Sequence, residues 1–348
     1  MTPTEPAAAL SAFMQALSWQ ERHLQHHHQP RWGWSRGERA NNVVVMPGRA
    51  EHVRLPVCWM LAVCCAAAAL AGCASGRSGP DVVTAPIQVV RTPDGTVGYR
   101  ELGSGPALLL ITGGATSMDD WPPGFVDALA AQHTVVVFDN AGVGRTSPVP
   151  APGSLSITAM AAQTSALISA LGLRHPAVLG WSMGGMIAQA LAVSHPAQVS
   201  RLILAATAAG TGTGVPIPQP TPTEFDRNPL NLVAPLFPDD PAAARAYLSA
   251  IQQYPDPYQM SGATYRSQYL AVQRWVAGQD PAGHLVGDIR VPTLVADGTL
   301  DQFAGPVNAR LLASSVPGAK LLLYPGAGHA FWFQDAAAFI PAIETFLR

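Results

Sequence analysis

The pentapeptide Gly180-Trp181-Ser182-Met183-Gly184 decides which fold the sequence predicts. Apolar residues 177–180 lead into it and predict a buried strand, whereas residues 183–193 follow it with a helical pattern. A serine that joins a strand directly to a helix lies on a sharp turn, and the flanking glycines leave room for that turn. The turn exposes the hydroxyl and points the helix N-terminus at negative charge that develops on a reacting group. We therefore predict that Ser182 is a nucleophile.

Short apolar runs alternate with helical patterns on both sides of this motif. Residues 87–90 and 97–102 flank Pro93-Asp94-Gly95 and predict an opening hairpin. Continuous apolar runs predict strands covered on both faces at 108–111, 135–138, 178–181, 202–205, 294–296 and 321–324. Helices are predicted at 157–172, 183–194, 306–315 and 334–347. This alternation predicts an α/β fold with a mostly parallel central sheet flanked by helices.

Residues 209–285 interrupt the alternation, because they contain no run typical of a sheet strand. A stretch rich in Gly, Thr and Pro comes first, and helical patterns follow at about 241–253 and 262–277. Since loops of this length rarely lack structure, we predict a helical cap insertion over the sheet. Its aromatic residues are expected to pack, with substrate contact as the alternative: Tyr247, Tyr254, Tyr258, Tyr265, Tyr269 and Trp275.

With its serine on a predicted strand–turn–helix unit, the chain resembles the α/β-hydrolase superfamily over about residues 86–348. The resemblance implies the α/β-hydrolase fold with a helical lid and a Ser-Asp-His triad in that chain order. Members usually place the acid three residues after a glycine that follows a late strand. In Asp297-Gly298-Thr299-Leu300-Asp301 this rule selects Asp301, and Asp297 stays the alternative.

The resemblance also implies which histidine completes the triad. His329 lies on a glycine-rich loop between the last predicted strand and the final helix, so it can reach Ser182 with one nitrogen and Asp301 with the other. His133, His175 and His195 are expected at the surface or in packing, while substrate contact stays open for His284.

These residues predict a serine hydrolase that cleaves a carboxylic ester of a small or medium acyl substrate through an acyl-enzyme. His329 would act as the base on Ser182, and Asp301 would orient the imidazole. The expected oxyanion donors are the backbone N–H groups of Met183 and Gly114. Lactone opening, carbon–carbon hydrolysis and cofactor-free perhydrolysis by the same triad remain alternatives. A non-catalytic binding protein of this fold is less favoured, since all three triad residues are present.

The composition of the chain excludes one class of binding partner. A net charge of −2 and 12% charged residues exclude an electrostatic nucleic-acid binder, so the expected partner is a small ester-like molecule. No metal, nucleotide or flavin motif occurs, and we expect no cofactor. The histidines at 23 and 26–28 leave metal binding open as an alternative for the N-terminal segment.

The N-terminal third of the chain predicts an export signal and not a catalytic site. Arg49 and Arg54 precede an apolar run over 55–71, which ends in Leu70-Ala71-Gly72-Cys73. This ending resembles the bacterial lipobox, which implies a lipoprotein signal peptide over 46–73 and a lipid anchor on Cys73 at the membrane of the cell envelope. An uncleaved membrane anchor, or cleavage near Ala74 with secretion, remains an alternative.

The predicted organisation has four parts. Residues 1–45 are expected to be a non-structural extension, with Met46 as the true initiator, and residues 46–73 the signal peptide. Residues 74–84 are expected to be a polar linker, and residues 85–348 the hydrolase domain, which includes the cap at 209–285.

Overall fold

The computed structural model describes residues 43–45, 79–148, 151, 153–217, 233–255, 258 and 260–348. In these residues nine strands form one sheet. The strands are β1 Val43–Val45, β2 Gln88–Thr92, β3 Gly95–Gly103, β4 Ala107–Ile111, β5 Thr134–Phe138, β6 Ala177–Trp181, β7 Arg201–Ala205, β8 Thr293–Gly298 and β9 Lys320–Tyr324. Every strand that the sequence predicted is present.

The sheet is mostly parallel, and its order is β1-β9-β8-β7-β6-β4-β5-β3-β2. The β2–β3 hairpin and the β3–β5 pair are antiparallel, whereas the remaining neighbours run parallel. Because parallel strands end at the same edge, the loops that follow β4, β6 and β8 emerge side by side. Candidate functional residues that are distant in sequence therefore meet at one edge.

Helices cover both faces of the sheet. They are α1 Pro123–Ala130, α2 Ile157–Ala170, α3 Met183–Ser194, α4 Pro241–Ile251, α5 Gly262–Val276, α6 Gly305–Ser315, α7 Phe331–Gln334 and α8 Ala336–Leu347. The predicted helices are confirmed, except that the last one is divided at Asp335, whose φ of −115° and ψ of 32° are not helical. Helix α1, which begins at Pro123 and buries Phe125 and Leu129, was not predicted from the sequence.

The sheet separates two apolar cores, because successive side chains of a strand point to opposite faces. In β4, Leu109 and Ile111 belong to one core, while Leu108 and Leu110 belong to the other. All four side chains are fully buried. This explains why the central strands are apolar without alternation, as expected for a sheet covered on both sides.

The described N-terminal residues differ from the predicted organisation in two places. Val82 lies within the predicted linker 74–84, yet its side chain is 0% exposed and its N–H donates to Asp127 Oδ1 at 2.8 Å. The folded domain therefore begins before residue 85. In addition, Val43–Val45 pairs in parallel with β9, although residues 1–45 were predicted to be non-structural. The predicted signal peptide, Cys73 and the histidines at 23 and 26–28 lie outside the described residues.

The cap is helical, as predicted. Its described part contains short 3-10 helices at Ala234–Leu236 and Pro281–Asp288 around α4 and α5, and no strand. Ser261 begins α5 by accepting a hydrogen bond from the N–H of Thr264 at 3.1 Å. None of the described helices is long and apolar enough to cross a membrane.

Candidate active site

Ser182 occupies a strained turn between β6 and α3. Its φ of 55° and ψ of −119° lie in a region that side chains with a Cβ rarely adopt. A Cβ on Gly180 would collide with the carbonyl oxygen of Gly184, and a Cβ on Gly184 would collide with that of Ile111. The two glycines of the pentapeptide are therefore required for the turn to form.

Hydrogen bonds hold this turn against the neighbouring strand. The N–H of Ser182 donates to the carbonyl of Ala205 at 2.9 Å, and the hydroxyl of Thr207 donates to the carbonyl of Ser182 at 2.7 Å. Gly185 makes this approach possible, because a Cβ there would lie 2.7 Å from Cβ of Thr207. Fixed backbone contacts therefore offset the strain at Ser182.

The loop after β4 lies against the turn. A Cβ on Gly113 would lie 3.4 Å from Cβ of Ser182, and one on Gly114 would lie 3.7 Å from Cβ of Met183. Gly114 and Met183 are the predicted oxyanion donors, so the structure brings their two backbones together beside Ser182. The N–H of Met183 opens α3, where a helix has no internal acceptor for it.

Asp301 and His329 are in direct contact. The Nδ1 of His329 lies 2.8 Å from Oδ2 of Asp301, and the N–H of Phe303 donates to Oδ1 of Asp301 at 2.7 Å. Both side chains are buried. With Nδ1 facing a carboxylate, the imidazole is the tautomer that carries its proton on Nδ1, and Nε2 is left to accept a proton.

The pKa values of Asp297 and Asp301, at the end of β8 and just after it, are shifted in opposite directions. Burial alone would raise the pKa of Asp301, but the charge and hydrogen bond of His329 outweigh it and hold that pKa below its usual range. Burial and then repulsion by Asp301 hold the pKa of Asp297 well above its usual range. Asp301 is therefore the ionised partner of His329, while Asp297 accepts the N–H of Gly298 at 2.8 Å.

Ser182, Gly114, Met183 and His329 line one cavity of about 930 Å³, including the space at its mouth. Its floor is formed by the strand-end loops and its roof by the cap. The apolar part of the wall includes Ile217, Val233, Leu236, Val272 and Phe303, and the polar part includes Asp120, Tyr247, Tyr265, Gln268 and Tyr269. No lysine or arginine is among the described residues of this wall. Such a mostly apolar cleft with a few polar groups is typical of a small-molecule site.

The family model of the α/β-hydrolase fold matches residues 106–336, which is more than half of the chain and contains every residue of the site described above. The chain belongs to the α/β-hydrolase family. It is a hydrolase of this fold.

Relatives of this hydrolase differ in what they are named for. A polyketide synthase of Burkholderia thailandensis is 33% identical over 260 residues, which cover 70% of this chain but only 12% of the synthase. A poly(3-hydroxyalkanoate) depolymerase of Ectopseudomonas oleovorans is 30% identical over 260 residues, which cover 69% of this chain and 84% of the depolymerase. An α/β-hydrolase fold protein from Chitinophaga pinensis is 25% identical with a TM-score of 0.66, over 77% of this chain and 98% of that one.

Two residues of the hydrolase that contact His329, Trp181 and Phe303, were not predicted from the sequence. Trp181 Nε1 donates to the carbonyl of His329 at 3.1 Å, and the rings of these residues lie 5.6 Å apart. Phe303 packs on the other side of the imidazole, with ring centroids 4.8 Å apart. The position of Trp181 next to the serine is a signal in the sequence, whereas its contact with a residue 148 positions away is not.

The other histidines of the hydrolase lie away from the cavity wall. His175 and His284 are exposed, His195 is partly buried, and His133 Nε2 lies 3.1 Å from Glu344 Oε2. None of them lines the cavity. In the described ranges no group of three or more His, Cys, Asp or Glu residues could hold a metal ion.

Proposed function

We propose that the protein is a serine hydrolase that cleaves carboxylic esters through an acyl-enzyme on Ser182. The observation that carries this proposal is the buried His329–Asp301 hydrogen bond, whose imidazole lines the same cavity as Ser182. A serine hydroxyl is a weak nucleophile at its ordinary pKa, so it requires a base. His329 supplies a nitrogen that is free to accept the proton.

The reaction proceeds in two halves. Ser182 Oγ bonds to the ester carbonyl carbon, its proton moves to Nε2 of His329, and the N–H groups of Met183 and Gly114 bind the oxyanion. Collapse of the tetrahedral intermediate breaks the carbon–oxygen bond, and His329 gives the proton to the departing alcohol. Water then attacks the acyl carbonyl carbon while His329 accepts its proton. The bond from that carbon to Ser182 Oγ breaks, and His329 returns the proton to Oγ, which releases the acid and restores Ser182.

The cavity supports a small or medium acyl group. Its apolar residues, among them Val233, Leu236 and Val272, can accept an aliphatic chain. The name of the depolymerase relative refers to a polymer whose units are joined by esters, which agrees with carboxylic ester chemistry. Lactone opening, carbon–carbon hydrolysis and perhydrolysis stay alternatives for the same residues.

Hydrolysis of p-nitrophenyl esters of increasing chain length tests this proposal. We expect turnover of acetate to octanoate esters, with a first burst of p-nitrophenol equal to the enzyme concentration where deacylation is slow. Ser182→Ala is expected to abolish both the burst and the turnover. A wild-type enzyme that cleaves lactones or diketones but none of these esters would contradict the ester assignment.

We further propose that the chain is exported and anchored by a lipid on Cys73. The support is the Leu70-Ala71-Gly72-Cys73 ending of an apolar segment that follows Arg49 and Arg54. Full-length protein expressed in a bacterial host is expected to incorporate labelled palmitate and to fractionate with membranes, and Cys73→Ala is expected to lose the label. Wild-type protein without the label would contradict the anchor.

A further inference from the structure

The cap helix α5 presents polar atoms without partners to the cavity. Nε2 of Gln268 and the hydroxyl of Tyr265 are buried and have no hydrogen-bond partner among the described residues. Gln268 is 1% exposed and Tyr265 is 7% exposed, and both line the cavity. An unsatisfied buried donor costs about 1–3 kcal/mol, so two such donors in one cavity wall favour a ligand that accepts hydrogen bonds from them.

The orientation of the Gln268 amide is determined by the loop below it. Its Oε1 accepts the N–H of Ala115 at 3.0 Å, which only an oxygen can do. Nε2 is therefore the free end and is a donor. The same bond ties the cap to the loop that carries Gly114, and Ala115 holds a positive φ of 61° there.

Packing of its ring holds the Tyr265 side chain in the same cavity wall. Its ring packs against Val143, Met260 and Ala115, and it stacks on Tyr269 with centroids 6.3 Å apart. Burial and then Tyr269 raise the pKa of the Tyr265 hydroxyl, so it stays protonated at neutral pH and can donate. Residues 265 and 268 are three positions apart, which places both side chains on one face of α5.

Two other hydroxyl groups of the wall are already engaged. Tyr247 donates to the carbonyl of Asp120 at 2.8 Å, and Thr116 donates to that of Gly113 at 2.9 Å. The wall offers no cation among its described residues, and burial raises the pKa of Asp120 only to about 6, so it is mostly ionised at pH 7. An anionic group is therefore disfavoured, and a neutral acceptor is the matching ligand.

We propose that Tyr265 and Gln268 form a recognition site for a neutral oxygen acceptor, a ketone-type carbonyl, in a part of the substrate away from the scissile ester. This inference rests on the proposed ester hydrolysis and narrows it to esters that carry such a second oxygen. A plain alkyl chain in this place leaves both donors unpaired, whereas a carbonyl oxygen can accept from both. Sites built around a hydrogen bond discriminate more strongly than apolar pockets do.

Matched ester pairs test the inference. The acyl series compares p-nitrophenyl hexanoate with its 3-oxo, 4-oxo and 5-oxo forms, and the alcohol series compares pentyl acetate with 4-oxopentyl acetate. Each kcat/KM is divided by the rate constant with hydroxide, which removes intrinsic reactivity. We expect at least one oxo ester to exceed its plain partner by about 10-fold, which corresponds to the upper range for one neutral hydrogen bond.

Three variants assign that advantage to the two residues. Tyr265→Phe removes only the hydroxyl, and Gln268→Glu keeps an oxygen for the N–H of Ala115 while it replaces the donor. Each is expected to lower the oxo advantage about 3-fold, so that the two losses together account for it. Tyr324→Phe is the matched control, because Tyr324 also has a buried hydroxyl without a partner but does not line the cavity. It is expected to keep the wild-type advantage.

The outcomes distinguish a failure of the recognition site from a failure of the proposed ester hydrolysis on which it rests. Labelling of wild-type protein by a fluorophosphonate, with no oxo advantage in either series, overturns the recognition site alone. An advantage that persists in both Tyr265→Phe and Gln268→Glu also overturns it. Failure of wild-type protein to label overturns the serine mechanism, and this inference with it.

Discussion

The strand-end loops and cap helix α5 face the same cavity but treat their polar groups in opposite ways. In the loops, both oxygens of Asp301 have partners, Nδ1 of His329 has one, and Trp181 holds the carbonyl of His329. On α5, Gln268 and Tyr265 each present one donor that has no partner in the part of the chain that the structure describes. The proposed catalytic groups are therefore held by hydrogen bonds before substrate binds, whereas the proposed recognition groups gain their partner only from the substrate.

Hydrogen bonds that involve the backbone also fix the strand-end loops to one another. The loops of Asp301 and His329 are joined by the N–H of Leu300 to the carbonyl of Ala327 at 2.8 Å and by the N–H of Gly326 to the hydroxyl of Thr299 at 2.9 Å. A Cβ on Gly298 would collide with the carbonyl of Ala327, so the close approach depends on glycine. We therefore expect substitutions in the loops to change rate and those in the cap to change substrate choice.

The largest effect is expected for the nucleophile. Ser182→Ala removes the hydroxyl that forms the acyl-enzyme, so kcat for p-nitrophenyl esters is expected to fall about 10⁵- to 10⁶-fold. The measurement is steady-state hydrolysis with active-site titration of the wild type, and circular dichroism of the variant serves as the control for folding. A fall of less than about 100-fold would place the nucleophile elsewhere.

The two aspartates after β8 give the next largest difference. Asp301→Asn removes the negative charge that orients and stabilises the His329 imidazolium, so kcat is expected to fall about 10⁴-fold. Asp297→Asn is the matched control, and a fall of less than about 10-fold is expected, because Asp297 is held in its neutral form. Equal losses, or a larger loss for Asp297→Asn, would assign the acid to Asp297.

Because the backbone at Ser182 is strained, a substitution that relieves the strain is expected to raise the free energy of unfolding by about 1 kcal/mol. An ordinary surface turn is not expected to show this effect. Ser182→Gly and Ser182→Ala both lack the hydroxyl, but only glycine adopts a φ of 55° without a steric penalty. Thermal unfolding is therefore expected to give Ser182→Gly the higher Tm, by about 2 °C. An equal or lower Tm for the glycine variant would show that the turn is not strained.

The smallest expected effect is a pH dependence of stability at Asp297. Because its pKa is raised in the folded state, ionisation above about pH 4 favours the unfolded chain. Below that pH both states are protonated, and the contribution of Asp297 is fully present there and is lost as pH rises. The Tm of Asp297→Asn minus that of wild type is expected to grow between pH 4 and pH 8. A difference that does not change with pH would contradict the buried neutral carboxyl.

Local pattern was sufficient to predict the strands and all helices but α1, whereas Asp301 and His329 were predicted from the family resemblance. The apolar runs, the pentapeptide at Ser182 and the loop at His329 each carry their signal within about ten residues, and the structure places them as expected. Helix α1 was missed because it begins with Pro123 and Gly124, which are typical of a turn. The choice between Asp301 and Asp297 rested on resemblance, and the contact with His329 is what distinguishes them in the structure.

Contacts between distant segments could not be predicted. Gln268 meets Ala115 across 153 positions, and Trp181 meets His329 across 148, so no local window contains both partners. The burial of Val82 has the same origin, since Asp127 of α1 receives its N–H. A polar segment can therefore look like a linker although it is part of the folded domain.

Mass mapping of a fluorophosphonate adduct tests the central claim most directly. The protein is expected to gain a single phosphonyl group, which peptide sequencing locates on Ser182, and His329→Ala is expected to slow the labelling strongly. An adduct on another residue, or labelling of Ser182→Ala equal to that of wild type, would contradict the account.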